Sequence, residues 1–313
     1  MSTNAIPAGS DDGLAVEFPA PAPLGTGKDR ALVLGGGGEY LAAWMLGFAH
    51  GLNELGVPYQ TPDVVLGTSA GSVVGSTFAG GHLRRLTREF DFFERFPKLM
   101  SDLVPTPESS PSQARALELC ASASDASVET IQGIGRAAIA ACNPDVSKLQ
   151  KLVGLLTGNT SWPSPTFHAV TVDCYTGERL VLSESSGVPI SQAVVASMSI
   201  PGVVGPTWVR DRLCMDGGIS VSSTHCDLVH GAKRAIVVSL SDGAPEHLAR
   251  FSGIPNLIQQ ELADLKASGT ATLFLAVNPG HVELMSPEAI GSALKLGYQR
   301  ATTEADRVRA FWA

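Results

Sequence analysis

The sequence is poor in charge, in paired cysteines and in long apolar runs, and each shortage excludes a class of protein. Charged residues make up 17% of the 313 residues, against about 25% in an average soluble domain. This low charge, with a mean hydropathy of +0.15, excludes a largely disordered chain. No apolar stretch reaches the roughly 18–20 residues that a membrane-spanning helix needs. The first residues lack a basic segment followed by an apolar run, so no secretory signal is predicted.

The cysteines and the charge balance exclude further kinds of site and of binding partner. The five cysteines are scattered and include no C-x-x-C pair, so neither a metal site nor a disulfide framework is predicted, and we expect no cofactor. Basic residues number 22 and acidic residues 30, a formal net charge of −8. Binding to nucleic acid is therefore disfavoured, and a transient contact with a membrane surface would need a local patch. A reducing cytoplasm is the expected location. The cysteines are Cys120, Cys142, Cys174, Cys214 and Cys226.

Glycine is abundant, with 33 residues, and it follows the apolar runs of two similar units. Residues 1–28 read as a flexible leader and 29–313 as one domain. Ala31–Leu34 is a short apolar run that ends in four glycines and precedes apolar residues at helical spacing. Asp63–Leu66 is a second such run, followed by a G-T-S-A-G turn and a predicted helix over 70–79. This order predicts an α/β fold with three layers, α/β/α, around a mostly parallel central sheet.

The rest of the chain completes the predicted domain. Ser and Pro are frequent over 101–113, which we predict to be a loop. Two helices are expected near 127–142 and 145–157, and the segment 98–162 could be a helical cap over a site or plain scaffold. Further strands are predicted at 167–173, 179–182, 235–240 and 271–277.

The pentapeptide Gly67-Thr68-Ser69-Ala70-Gly71 has the G-x-S-x-G pattern between a predicted strand and a predicted helix. A nucleophile elbow holds its serine on a sharp, strained turn, where a side chain on Gly67 or Gly71 would clash. The helix that follows points its unpaired N–H groups at the serine. A chance turn rich in Gly and Ser is the alternative, and the flanking strand and helix make it the poorer interpretation. Ser69 is therefore the candidate nucleophile.

The glycine run that ends the first strand suits an oxyanion hole. Acyl transfer needs N–H donors for the oxyanion of its tetrahedral intermediate, and backbone without side chains supplies them well. A phosphate cradle is the alternative. The Walker pattern is absent because no Gly-Lys-Ser/Thr follows, and the dinucleotide fingerprint fails at its third glycine.

A serine nucleophile needs a base, and an aspartate is better placed than any of the seven histidines. No histidine follows a strand in a tight, glycine-rich loop. Met215-Asp216-Gly217-Gly218 instead follows a predicted short strand and puts a carboxylate at a sharp turn. A D-G-G sequence by itself is most often an ordinary turn.

Taken in order, these motifs resemble the patatin-like phospholipases, which are serine acyl hydrolases with a Ser–Asp dyad. The similarity extends over about residues 30–245. It includes A-L-V-L-G-G-G-G at 31–38, D-V-V-L-G-T-S-A-G-S-V-V-G at 63–75, A-S-M-S-I-P-G-V at 196–203, M-D-G-G at 215–218 and C-D-L-V-H-G-A at 226–232. The resemblance implies that Ser69 is the nucleophile, that Asp216 is the base and that Gly36, Gly37 and Gly38 supply the oxyanion donors.

The resemblance also implies a lipid or acyl-ester substrate of the phospholipase A, lysophospholipase or esterase type. Two alternatives remain: an acyltransferase or thioesterase on the same site, and a catalytically silent lipid-binding module. The first loop departs from the family's G-G-G-x-Arg/Lys-Gly, because Glu39, Tyr40 and Leu41 follow Gly38. Glu39 would repel an anionic substrate.

Overall fold

A computed structural model describes residues 23–57, 62–96, 98, 110–141, 146–157, 161–243, 252–280 and 282–313. Residues 1–22 of the predicted leader and 101–109 of the predicted loop lie outside the described residues, as does Cys142. Residues 23–28 of the same leader lie against the domain. There the Leu24 N–H donates to the Leu228 carbonyl at 2.8 Å.

Within the described residues, the centre of the molecule is an eight-stranded sheet. Its strands are β1 (Arg30–Leu34), β2 (Val64–Thr68), β3 (Phe167–Asp173), β4 (Arg179–Leu182), β5 (Thr207–Val209), β6 (Arg212–Asp216), β7 (Arg234–Ser239) and β8 (Ala271–Ala276). The order is β5-β6-β3-β2-β1-β7-β8, and β4 pairs with β3. Strands β3, β2, β1, β7 and β8 pair in parallel, whereas β4, β6 and β5 are antiparallel to their neighbours. The predicted mostly parallel α/β fold is confirmed.

Helices cover both faces of this sheet. They are α1 (Gly38–Glu54), α2 (Ala70–Ala79), α3 (Leu83–Arg95), α4 (Pro111–Ser122), α5 (Val128–Ala140), α6 (Val146–Thr157), α7 (Ile190–Ser197), α8 (Ile258–Ala267) and α9 (Ile290–Trp312). None of these described helices combines the length and the apolar character that a membrane crossing needs.

Alternating side chains along the strands divide the core into two main layers. On β1, Leu32 and Leu34 face a large cluster with α1, α2, α3, α6, α7 and α9. Ala31 and Val33 face the opposite layer, which includes α8 and the 3₁₀ turn Cys226–Val229. Both faces of the strand are buried, which explains why its sequence is a continuous apolar run.

Helices α3, α4, α7 and α8 were not expected from the sequence. The predicted loop 101–113 is wrong at its end, because α4 begins at Pro111 with a capping box between Ser110 and Gln113. Helix α3 begins after the glycine pair that closes α2. Strand β6 agrees with the short strand predicted at the Asp216 turn, whereas the sequence did not indicate β5.

Segment 98–162 does not form one structural unit within its described residues. Helices α4 and α5 pack against Val172, Cys174 and Met215 near the antiparallel edge of the sheet. Helix α6 joins the large cluster on the opposite side through residues such as Leu149 and Val153. Among the described helices of this segment, only α6 lines a cavity at Ser69.

Candidate active site

The fold brings the ends of β2 and β6 together beside β3. In the parallel pair, Thr68 of β2 lies opposite Val170 of β3. In the antiparallel pair, Asp216 of β6 lies opposite Thr171, the next residue of β3. The two strands end at neighbouring positions, and this places the Ser69 turn beside the Asp216 turn.

Ser69 occupies a strained turn between β2 and α2. Its φ is 51° and its ψ −118°, a conformation that residues with a side chain rarely adopt. A Cβ on Gly71 would lie 1.9 Å from the Leu34 carbonyl oxygen, and a Cβ on Gly67 would lie 2.5 Å from the Gly71 carbonyl oxygen. Both positions exclude any side chain, and the turn keeps Ser69 at the strand end.

Asp216 is a buried carboxyl whose two oxygens have different surroundings. Oδ1 accepts the Gly218 N–H at 2.7 Å, whereas Oδ2 has no hydrogen-bond partner among the described residues. Burial raises the pKa of Asp216 to about 6, against the lowering effect of hydrogen bonding from the Ser69 side chain and the Gly218 N–H. Gly217 must lack a side chain, since its Cβ would lie 2.5 Å from the Val170 carbonyl oxygen. The carboxyl is thus a stronger base than an exposed aspartate.

The end of α7 and the residues just after it hold both turns. The Ser197 Oγ accepts the Ser69 N–H at 2.9 Å, and the Ser197 carbonyl accepts the Gly217 N–H at 3.4 Å. The Ser199 carbonyl accepts the Asp216 N–H at 2.9 Å. Ser197 was not singled out in the sequence, although it lies in the segment 196–203 that carried part of the resemblance. Ser197 therefore links Ser69 to Gly217, the residue that follows Asp216.

The glycine loop after β1 lies against the same turn. A Cβ on Gly36 would be 3.3 Å from the Cβ of Ser69. The Gly36 N–H already donates to the Ser223 carbonyl at 2.9 Å, so this group is engaged elsewhere. The N–H groups of Gly37 and Gly38 have no acceptor among the described residues, and Gly38 adopts φ 62°. The Ala70 N–H, at the start of α2, is a further donor that has no acceptor among the residues that the structure describes.

Two cavities of about 70 Å³ each meet at Ser69. The first, called the acyl cavity below, is lined mainly by apolar side chains of α1, α2, α3, α6 and the segment 198–204. The second, the polar cavity, is lined by Gly36–Gly38, Asp216, Gly218 and Ser223 among others. Within the described residues, neither cavity is lined by histidine, lysine or arginine.

The sequence profile described as patatin-like phospholipase matches residues 32–225, more than half of the chain. The chain belongs to the patatin-like phospholipase family. No curated protein matches it. Among solved structures it is similar to VipD from Legionella pneumophila at 15% identity and a TM-score of 0.41, over 90% of this chain and 67% of that one. The type III effector protein ExoU matches at 15% identity and a TM-score of 0.37, over 93% of this chain and 54% of ExoU.

A second buried carboxyl of this patatin-like chain, Glu39 in the first turn of α1, lies at the candidate site. Glu39 is 8% exposed, and its Oε2 has no hydrogen-bond partner in the described residues. Burial, and the negative charge of Glu288 to a smaller extent, raise its pKa to about 7. The residue lines the acyl cavity together with Ser69. The sequence marked Glu39 as a departure from the family motif but did not indicate its burial.

A buried histidine, His225, supports the loop after Asp216. His225 Nε2 lies 2.9 Å from the Gly217 carbonyl oxygen, and since a carbonyl only accepts, Nε2 carries the proton. Burial and the Arg179 guanidinium lower the pKa of His225. Arg179 itself makes two hydrogen bonds to Asp227, at 2.8 and 2.9 Å. His225 is therefore neutral at pH 7 and holds the Asp216 turn.

Proposed function

We propose that this protein is a serine acyl hydrolase that cleaves carboxylic esters of lipids. The observation that carries the proposal is the convergence of β2 and β6, which sets the hydroxyl of Ser69 beside the raised-pKa carboxyl of Asp216. Membership of the patatin-like phospholipase family supports lipid ester hydrolysis. The apolar walls of the acyl cavity at Ser69 suit the hydrocarbon part of such a substrate.

In the proposed reaction, Asp216 removes the proton of Ser69 as Oγ attacks the ester carbonyl carbon. The oxyanion of the tetrahedral intermediate accepts hydrogen bonds from the N–H groups of Gly37 and Gly38. The C–O bond to the alcohol then breaks, and Asp216 returns the proton to the leaving alkoxide. Water attacks the acyl-enzyme with Asp216 again as base, and this releases the carboxylic acid and restores Ser69.

The test is covalent labelling by a fluorophosphonate probe, together with hydrolysis of soluble p-nitrophenyl esters and of lysophospholipid. Wild type is expected to be labelled and active, and Ser69→Ala to lose both properties. Ser76→Ala is the matched control, because the Ser76 hydroxyl bonds the Val73 carbonyl within α2 and does not reach the site. An unlabelled wild type would favour the silent lipid-binding module. Faster acyl transfer to an added alcohol or thiol than to water would favour an acyltransferase.

A lipid substrate implies contact with a lipid surface, and we propose that the outer faces of α3 and α6 make it. Phe92 and Phe96 are 46% and 53% exposed, with ring centroids 4.9 Å apart, and Leu155 of α6 is 64% exposed. Arg88 and Arg95 are exposed on α3, as are Asp91 and Glu94, and Phe96 directly follows this helix. Apolar side chains between basic ones are typical of helices that lie at a phospholipid surface. The inner faces of α3 and α6 line the acyl cavity, so a lipid bound here is close to Ser69.

Flotation with vesicles of phosphatidylcholine, with and without phosphatidylglycerol, tests this surface independently of catalysis. The double variant Phe92→Ser, Phe96→Ser is expected to lose most vesicle binding. Trp208→Ser removes another exposed aromatic ring, 55% exposed on β5, and is expected to bind as wild type does. Equal flotation of all three proteins would contradict the proposed surface.

A further inference from the structure

The acyl cavity contains a polar group that a plain hydrocarbon chain cannot satisfy. Its walls are apolar apart from the Ser69 turn, the backbone of Gly38 and the carboxyl of Glu39. Building on the proposed hydrolysis, we propose that Glu39 is a specificity residue that hydrogen-bonds a hydroxyl group on the acyl chain. The preferred substrates are then esters of hydroxylated acyl groups.

The state of the Glu39 side chain supports this assignment. It is more than nine-tenths buried, and its Oε2 has no partner in the part of the chain that the structure describes. A buried polar group without a partner costs free energy, which a bound hydroxyl would offset. An unsubstituted acyl chain would instead leave the carboxyl unpaired and displace any water that serves it. A site of this kind discriminates strongly against the analogue that lacks the polar group.

A hydroxyl fits the carboxyl better than a charged group does. Burial holds the pKa of Glu39 near 7, so both protonation states are populated around neutral pH. A hydroxyl can donate to the carboxylate and accept from the carboxylic acid, and it pairs with either state. An ammonium group suits only the carboxylate, and transferring it into an apolar cavity carries a large desolvation cost. Glu288 is the charged group that acts on Glu39, and its negative charge would disfavour a carboxylate on the substrate.

The position of Glu39 places the expected hydroxyl near the ester carbonyl. Glu39 directly follows Gly38, whose N–H is a proposed oxyanion donor, and both residues line the cavity that contains Ser69. The cavity volume of about 70 Å³ is half of the roughly 150 Å³ that holds a benzene ring in an engineered apolar cavity. The part of the acyl group that occupies this space is therefore small, and its hydroxyl lies a few atoms from the carbonyl.

The experiment compares p-nitrophenyl esters of butanoate, 3-hydroxybutanoate and 3-aminobutanoate, which are soluble and need no lipid surface. Wild type is expected to show kcat/KM about tenfold higher for the hydroxy ester than for butanoate, the effect of one hydrogen bond to a buried carboxyl. Glu39→Leu is expected to reverse this preference, because it removes the carboxyl and leaves an apolar wall. Glu39→Gln, which keeps a hydrogen-bonding group, is expected to retain part of it.

The control is Glu54→Gln, an exposed glutamate at the end of α1 that is expected to leave the substrate ratio unchanged. Equal kcat/KM for the two esters in wild type, or the same ratio in Glu39→Leu, would overturn the proposal. A preference for the amino ester over the hydroxy ester would overturn the choice of a hydroxyl. Activity that survives in Ser69→Ala would contradict the proposed hydrolase itself, whatever the Glu39 variants show.

Discussion

The acyl cavity and the polar cavity are similar in volume, share Ser69 and contain one buried carboxyl each, yet the two carboxyls have different surroundings. Asp216 receives the Gly218 N–H and contacts the Ser69 side chain. Glu39 is surrounded mainly by hydrocarbon, with no partner for Oε2 in the described residues. Burial raises both pKa values, to about 6 for Asp216 and to about 7 for Glu39. The carboxyl with hydrogen bonds is the one more easily ionised.

This difference suits two roles at one site. A base must be ionised before the reaction, and the hydrogen bonds to Asp216 keep its carboxylate populated near neutral pH. A recognition group benefits from an unsatisfied oxygen, which Glu39 has. Environments that separate the pKa values of neighbouring acids are a common way to divide such tasks. Substitution of either carboxyl, of its hydrogen-bond partners or of its cavity wall is expected to affect one role more than the other.

The largest expected effect is that of Asp216→Asn. Loss of the base is expected to lower kcat/KM for a soluble ester by about 10²–10⁴-fold. In wild type, kcat/KM should fall as pH decreases through about 6, because protonated Asp216 cannot accept the Ser69 proton. A pH profile of kcat/KM for wild type, Asp216→Asn and Glu39→Gln checks both statements. Near-normal turnover in Asp216→Asn, or loss of the acid limb in Glu39→Gln, would contradict the assigned roles.

A smaller effect is expected from Ser197→Ala, which keeps both catalytic candidates and removes a support. The Ser69 N–H loses its acceptor, and Ser69 is then held less firmly in its strained conformation. Misplacement of a reacting group is costly, so kcat is expected to fall by about 10- to 100-fold. KM is expected to change little, since Ser197 lines neither cavity.

Ser199→Ala is the matched control for this positioning residue. The Ser199 hydroxyl bonds the Val195 carbonyl and the Thr207 hydroxyl, whereas its contact with the Asp216 N–H uses the backbone carbonyl and survives the substitution. A kcat in Ser197→Ala equal to that of Ser199→Ala would show that the hydrogen bond to Ser69 does not position the nucleophile.

The sequence predicted those parts of the molecule that depend on local pattern. The first two strands and the helix over 70–79 follow from apolar runs that end in glycine, and they agree with β1, β2 and α2. The roles of Ser69 and Asp216 remain predictions, although the structure places the two residues side by side. Helix α4 was missed because its first residues, Pro111 and Ser112, have turn composition, and its capping box was not recognised.

Features that depend on long-range packing could not be predicted. The burial of Glu39 follows from the packing of the first turn of α1 against Leu284 and Met285, which are about 245 residues away in the chain. The engagement of the Gly36 N–H depends on Ser223, which lies in the loop after Asp216. Neither contact has a local sequence signal, because the tertiary fold brings distant backbone segments together.

The wall of the acyl cavity is expected to select the length of the acyl chain. Leu152 of α6 lines this cavity, and Leu152→Ala would enlarge it by about three carbon atoms. We expect the ratio of kcat/KM for octanoyl over butanoyl p-nitrophenyl ester to rise by roughly tenfold, since a methylene in an apolar pocket contributes about 1–3 kcal/mol. Leu86→Ala is the control, because Leu86 is fully buried in α3 but does not line the cavity. An equal change in both variants would indicate general loosening and would contradict a role for α6 in chain-length selection.

The last expected effect is on stability, and for Asp216→Asn it has the opposite sign to the effect on activity. The pKa of Asp216 rises from its usual 3.8 to about 6 on folding, so the folded protein disfavours the carboxylate. The penalty is absent below about pH 4, grows as pH rises towards 6 and is complete above it. Asp216→Asn removes the charge and is expected to raise the free energy of unfolding by on the order of 2–3 kcal/mol at pH 7.5 and by little at pH 4. Urea unfolding at the two pH values measures this difference. Asp306→Asn, at a carboxyl that is 97% exposed, is expected to leave the free energy of unfolding unchanged at both pH values. If Asp216→Asn does not raise the free energy of unfolding at pH 7.5, the buried Asp216 carboxylate does not destabilise the fold as proposed.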